Sequence, residues 1–377
     1  MRRNPRACFI GAALASALLV LPAAGPASPA VAEAAPDLPE GAREGVARCA
    51  KCHARIAAEW RKSQHARSLA ETDPIYRELR RQAVETLGPP AEARCRQCHE
   101  PAWAGKAREA GAPVEGVSCV ACHRIPAGHP AKRLEDGRRS AFAAGTGAKG
   151  GTDGAGGLCL TCHAELKNPE GQPVCTTADE ATTAGAPPCI TCHMPERKGE
   201  ASQARDGRRA HSFPGAFDPA FLRTAARLDL DVRRGPDGPE ARVTVTNNRT
   251  GHSLPTGNPM RALWLRVEAL GAGQEVLWRN GGDNLGTDDP GAVFQRVFRD
   301  AAGNGPVPPF KARGPATDSR LAAGQSRTRT WVLPEGTKEV RARLEFLLGP
   351  APLLKKAGLS AEAAAPVPMA EARAAIP

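Results

Sequence analysis

The sequence predicts an α+β fold, with a mostly helical and loop-built first half of little regular structure followed by a small β-sandwich. Three observations carry this expectation. Five Cys-x-x-Cys-His segments crowd the chain between Cys49 and His193. Aromatic residues are only 4% of the 377 residues, with a single tyrosine, which is too little aromatic mass for an ordinary core in that half. Beyond about Ala225 the texture changes to short runs that alternate apolar with polar side chains.

The five segments are Cys49/Cys52/His53, Cys95/Cys98/His99, Cys119/Cys122/His123, Cys159/Cys162/His163 and Cys189/Cys192/His193, and they use ten of the twelve cysteines. Two thiols three positions apart share one side of a helical turn, where both can add to the two vinyl groups of one porphyrin. The histidine that follows then sits beneath the iron. This is the attachment pattern of c-type haem. Zinc sites use paired cysteines without an obligatory adjacent histidine. A disulfide framework has no use for five such histidines, and a thioredoxin-like site would carry one motif in a βαβ setting. Five c-type haems are therefore expected, with the ten cysteines binding the cofactor and the five histidines binding iron.

The first cysteines of successive motifs lie 46, 24, 40 and 30 residues apart. Segments this short do not each build a core, so the haems must share one fold, with porphyrins in place of the missing aromatics. Short helices should run over Glu59–Leu69 and Ile75–Leu87, and the stretch 145–157, with seven glycines, reads as a flexible loop.

The sixth ligands can be counted. Of nine histidines, five belong to motifs, leaving His65, His129, His211 and His252 as candidate distal ligands for five irons. One iron must then take Met194, Met260 or Cys175, another donor, or stay open. A bis-histidine iron has no place for substrate and suits electron transfer.

Strands are expected at Leu228–Val232, Arg242–Thr246, Trp264–Leu270, Val276–Trp278, Thr328–Leu333 and Val340–Leu347, punctuated by Gly, Asn, Asp and Pro. His252 falls in a Gly/Pro loop between two of them. The expected organisation is a signal peptide over 1–32, a pentahaem region over 33–220, a β-sandwich over 221–350 and an Ala/Pro-rich, frayed tail over 351–377.

The signal peptide follows from Arg2, Arg3 and Arg6, an apolar run from Phe9 to Leu21, and Ala30-Val31-Ala32 before the cut. The run is shorter than the ~20 residues of a membrane span, and Cys8 precedes it, so it is no lipoprotein cysteine. A periplasmic or otherwise exported protein, not membrane-spanning once cleaved, is expected. The formal charge of +11 becomes +8 once the leader's three arginines leave 48 basic against 40 acidic side chains. Export argues against nucleic acid as the partner, and ten haem propionates would absorb much of the excess.

Two elements resemble multihaem cytochromes c: Trp60-x4-His65-Ala66, and Gly116-Val117-Ser118-Cys119-Val120-Ala121-Cys122-His123 with His129 after it. They are similar to the superfamily that contains the tetrahaem electron carrier of ammonia oxidisers, hydroxylamine oxidoreductase and the pentahaem nitrite reductase. The loop Gly251-His252-Ser253-Leu254-Pro255-Thr256-Gly257 resembles the Gly-His-x-x-Pro-Thr-Gly loop of related cytochromes with a C-terminal β domain. The resemblance spans roughly residues 49–270. It implies stacked and perpendicular haem pairs, mostly bis-histidine iron, and distal roles for His65, His129, His211 and His252. No motif histidine is replaced by the lysine of the pentahaem nitrite reductases. The single tyrosine, Tyr76, has no sequence context for the cross-link of hydroxylamine oxidoreductase. Both departures speak against those activities. The expected function is single-electron transfer along the array, between a quinol-linked donor and a terminal reductase or outer-membrane conduit, with no catalytic residue assigned. The alternative is an oxidoreductase acting on a small nitrogen or sulfur compound at one open iron.

Overall fold

The computed structural model describes residues 45–103, 107–108, 110–123, 159–197, 208–282, 285–314 and 316–377. The expected leader, His129 and the glycine-rich stretch 145–157 lie outside the described residues.

The first half consists of short helices around the motifs. Helix α1 (Gly45–Ala50) enters the first motif and α2 (Ala54–Arg61) leaves it. Helix α3 (Pro74–Leu87) has the signals of a defined start and stop. The Asp73 side chain accepts from the Tyr76 N–H, Pro74 occupies the first turn, and Gly88 ends the helix at φ +80°. Helix α4 (Pro90–His99) ends in the second motif. The third and fourth motifs form single turns, α5 (Cys119–His123) and α6 (Leu160–His163). A short hairpin, β1 (Leu166–Lys167) and β2 (Pro173–Cys175), leads to α7 (Thr177–Thr183) and then α8 (Cys189–His193), the fifth motif. Strands β3 (Glu196–Arg197) and β4 (Arg208–Arg209) pair after it.

The helix expected over Glu59–Leu69 is displaced. It starts at Ala54 and stops at Arg61, and His65 sits in the turns that follow. Ser63 and Ser68 account for the stop, because their hydroxyls bond to local backbone in place of a helical ladder.

Helix α9 (Pro219–Leu222) opens the second half. One sheet has the order β11 (Ser326–Val332), β6 (Gly238–Thr246), β5 (Arg227–Gly235). The other runs β10 (Thr317–Asp318), β9 (Val293–Val297), β7 (Ala262–Leu270), β12 (Glu339–Leu347), β13 (Val367–Ala375), and β8 (Val276–Arg279) shares an edge of β7 with β9. A short helix α10 (Leu285–Asp288) precedes β9. Every pairing is antiparallel. Alternate residues of β6 (Val243, Val245) face those of β7 (Leu263, Leu265, Val267) and β12 (Val340, Leu344) in one core. The fold class is the α+β arrangement expected, with a sandwich after the helical half.

The frayed tail expected over 351–377 is a correction. Helix α11 (Ala351–Lys356), helix α12 (Ala361–Ala364) and β13 are ordered parts of the structure, and β13 completes the larger sheet against β12. Alanine and proline are poor strand formers, which hid a period-two pattern running through Ala370, Glu371, Ala372, Arg373 and Ala374. The strand lies at an edge, where Pro368 costs no central ladder bond.

The halves are fastened together. Asn168 Nδ2 donates to the Pro309 and Ala312 carbonyls at 3.1 and 3.0 Å. Ile75 of α3 packs with Met260, Leu353 and Leu354. Among the described residues, no helix is long and apolar enough to cross a membrane.

Candidate metal centres

In the first half, the apolar cluster around Val46, Ala57 and Trp60 is small. Of the ten motif cysteines eight are half-buried, only Cys52 and Cys192 are exposed, and none is in a disulfide. A region this poor in core, lined by free thiols, fits a large apolar group held by those thiols.

The imidazoles provide a sharper test of fit. A ligating imidazole nitrogen sits about 2.0 Å from its metal, and the ring centre lies ~1.1 Å further back, so two imidazoles facing one iron have centres ~6.2 Å apart. Three pairs have this spacing: His65 and His163 at 6.3 Å, His123 and His211 at 6.3 Å, and His193 and His252 at 6.5 Å. Each joins one motif histidine to one spare histidine. No group of three or more His, Cys, Asp and Glu side chains converges among the described residues, so the geometry suits two axial donors and not a tetrahedral ion.

Protonation agrees with ligation. The Nδ1 atoms of His99, His193, His211 and His252 lie 2.7–3.0 Å from the carbonyls of Ser68, Pro214, Arg209 and Ser253. A carbonyl only accepts, so Nδ1 carries the hydrogen and Nε2 keeps its lone pair for a metal. Burial pushes the imidazoles of His65 and His123 down to about 4, and those of His99, His163, His211 and His252 in the same direction. Neutral imidazole is the form that binds metal.

Backbone packing holds the spare histidines. The Val117 N–H donates to the His65 carbonyl at 2.9 Å, and the Ser68 hydroxyl donates to the His99 carbonyl at 2.8 Å. A Cβ on Gly116 would lie 2.4 Å from the His65 carbonyl oxygen, so only glycine permits this approach. The Trp60 Nε1–H donates to the Val117 carbonyl at 2.8 Å. Trp60, His65 and the Gly116–Cys119 element thus form one unit. In the same way, a Cβ on Gly251 would come 2.4 Å from Ala186 Cβ, beside the fifth motif.

Two carboxylates that sequence reasoning missed support the distal loops. Glu59 takes both Nη atoms of Arg208 at 2.9 Å and accepts from the His211 N–H at 2.9 Å. The Arg208 hydrogen bond is the main cause that holds its carboxyl below the usual range. Glu180 accepts from the Ser253 N–H and from the hydroxyls of Thr256 and Thr176, and pairs with Arg320 at 2.6 Å. Only the Glu-to-Arg and Glu-to-loop pairings, all distant in sequence, identify them. Glu59→Gln should keep one acceptor but lose the charge-assisted bonds, destabilising the protein by about 1–2 kcal/mol. Denaturant unfolding measures that loss, and a broadened His211-dependent low-spin EPR signal should accompany it.

The remaining candidates fall elsewhere. His53 and His99 face no histidine among the described residues, and His129 lies outside them. Tyr76 stacks on the His99 ring at 3.7 Å and 2°, with a buried hydroxyl that has no partner among the described residues. Met194 is buried beside the fifth motif, and Met260 packs in the Ile75–Leu353 cluster. Cys175, in β2, has its thiol 3.7 Å from the Thr177 hydroxyl.

Thiol contacts show which motifs adjoin. Cys49 neighbours Cys119, Cys98 neighbours Cys162, and Cys159 neighbours Cys189, each within hydrogen-bonding reach. Cys122 lies in electrostatic range of Cys159 and Cys162. The first motif therefore adjoins the third, the fourth adjoins both the second and the fifth, and the third lies in electrostatic range of the fourth.

Residues 48–124 match the family described as cytochrome c554 and c-prime. The whole structure is similar to a penta-heme cytochrome c552 from Thermochromatium tepidum, at 30% identity and a TM-score of 0.72, covering 89% of this chain and 99% of that one. No curated protein matches the chain.

Proposed function

The chain belongs to the cytochrome c554 and c-prime family of multihaem c-type cytochromes, and we propose that it is an exported pentahaem electron carrier. The observation that carries this reading is the set of three imidazole pairs at single-iron spacing. Iron held on both faces by histidine exchanges electrons and has no position for substrate. His163 and His65 would hold the fourth iron, His123 and His211 the third, and His193 and His252 the fifth, leaving His129 for the first or second.

The haem irons supply the one-electron chemistry, and the protein's side chains orient and tune them. His193, His211 and His252, each anchored through Nδ1 on a backbone carbonyl, would present Nε2 to iron across from the imidazole each faces. The motif contacts suggest a path from the first centre through the third to the fourth, where it forks to the second and fifth. Redox proteins are the partners that such an array would serve: a quinol-linked donor on one side, and a terminal reductase or outer-membrane conduit on the other.

A second reading has one specific observation in its favour. With nine histidines for five motifs, at least one iron lacks a histidine partner. His53 and His99 face no histidine among the described residues, and the iron of either would be the centre at which a small nitrogen or sulfur compound binds. Intact mass of the holoprotein, with low-temperature EPR, tests both readings. The carrier reading expects five haems with at least three bis-imidazole low-spin signals. Fewer than three would sink it. A high-spin signal that shifts when nitrite or hydroxylamine is added would favour the second.

A further inference from the structure

The loop from Pro255 to Arg261 borders a small open pocket of about 10 Å³ whose lining includes three guanidinium groups, Arg261, Arg296 and Arg320. Two acids answer them, and both belong first to Arg320. Glu180 pairs with it at 2.6 Å and Asp318 at 2.8 Å, while Asp318 reaches Arg296 only at 3.9 Å. Asp73 lies in electrostatic range of Arg261 but makes no ion pair with it among the described residues, so neither close carboxylate of the pocket is directed at Arg261.

Arg261 and Arg296 are the guanidinium groups without a close carboxylate partner. The Arg261 Nη1 donates to the Thr256 carbonyl at 3.0 Å, and no carboxylate pairs with it among the described residues. Arg261 is half-buried in the pocket lining, and burial pushes its guanidinium down to about 10. The Arg296 Nη1 donates to the Thr176 hydroxyl at 3.3 Å, but its Nε is buried with no acceptor among the described residues. Gly257 has φ +79°, and a Cβ there would lie 2.7 Å from Arg261 Nη1. The loop is thus shaped to let the guanidinium lie against bare backbone. An unanswered buried cation is costly, and a planar fork of donors matches one carboxylate.

We propose that Arg261, assisted by Arg296, holds a propionate carboxylate of the haem attached at Cys159 and Cys162. His163 of that motif lies in electrostatic range of Arg261, so the midpoint expected to respond is that of this haem. The proposal rests on the pentahaem reading above. Its physical consequence is electrostatic: a neutralised propionate favours the ferrous state, because a bare carboxylate stabilises the extra positive charge of ferric iron.

The test is a redox titration of the holoprotein followed by optical spectroscopy and EPR, comparing the native chain with Arg261→Gln and Arg261→Lys. In Arg261→Gln, one of five midpoints should fall enough to change the ferric-to-ferrous ratio about tenfold at fixed potential, or ~59 mV for one electron. Arg261→Lys retains the charge without the fork and should recover most of the shift. Five haems with all midpoints unmoved in Arg261→Gln would overturn the proposal. So would a native spectrum that shifts on adding nitrite or phosphate and loses that response in the variant, which would make this a site for a free anion. Fewer than five haems in the native protein would instead overturn the pentahaem reading. If Arg261→Gln does not fold, Arg296→Gln should show a smaller fall at the same haem, and an unmoved midpoint there counts equally against the proposal.

Discussion

Replacing His65 with Ala is expected to turn one low-spin haem into a high-spin one and to cut the array at its junction. His65 stands 6.3 Å, centre to centre, from His163, the spacing of two imidazoles on one iron. Phe213 packs against its ring at 4.4 Å and fixes the orientation. The fourth motif adjoins the second and fifth and lies in electrostatic range of the third, so in the proposed path it would be the fork itself. The haem itself should remain, because Cys159 and Cys162 attach it covalently. The local backbone should remain too, because the His65 carbonyl, and not its ring, accepts from Val117. EPR should lose one bis-imidazole signal and gain a high-spin one, and stopped-flow oxidation across the array should slow by at least ~10-fold, since an altered axial ligand shifts the potential of the connecting centre. An unchanged low-spin count would show that His65 is not a ligand.

Glu180→Ala is expected to have the largest effect on stability. The carboxylate and its Arg320 partner are each only 12% exposed, so the value for breaking a buried pair applies, about 3–5 kcal/mol. The removed group also holds Ser253 and Thr256, in the loop that directly follows His252. Thermal unfolding should therefore shift down together with loss of the His252-dependent low-spin signal. Glu180→Gln, which keeps the neutral acceptor, should lose much less of both. The same clamp should weaken in acid. Burial alone would push the Glu180 carboxyl up, but hydrogen bonds from Thr176 and Thr256 and the Arg320 charge more than reverse it and hold it below its ordinary 4.5. A carboxylate with a depressed folded value contributes its full stability above the ordinary value and loses it as pH falls through the folded one. The expected signature is a loss of His252 ligation below about pH 4.5 in the native protein that is absent from Glu180→Gln, measured by EPR across a pH series.

The elements that could be read from the chain are those whose physics is local. A strand shows its period of two, and β5, β6, β7, β8, β11 and β12 all fall where the alternation placed them. Strand β13 was missed because its apolar face is largely alanine, which carries little hydrophobic contrast. Helix α3 was legible from its periodicity and helix-ending Gly88, while the end of α2 was not, because two serine hydroxyls compete with its ladder. Tyr76 was judged by its sequence neighbours, which say nothing of the His99 ring it stacks on.

The five Cys-x-x-Cys-His motifs and the shortage of spare histidines are set by the sequence alone. Two thiols and an imidazole on one turn make a complete covalent site, and counting donors requires no coordinates. Only the tertiary structure decided which histidine faces which, since His65 and His163, or His193 and His252, meet across long stretches of chain. It also decided the support for those faces: Glu59 on the His211 backbone and Glu180 on the His252 loop. A carboxylate's role is set by the charges that folding brings within reach of it, and nothing in its sequence neighbourhood records them.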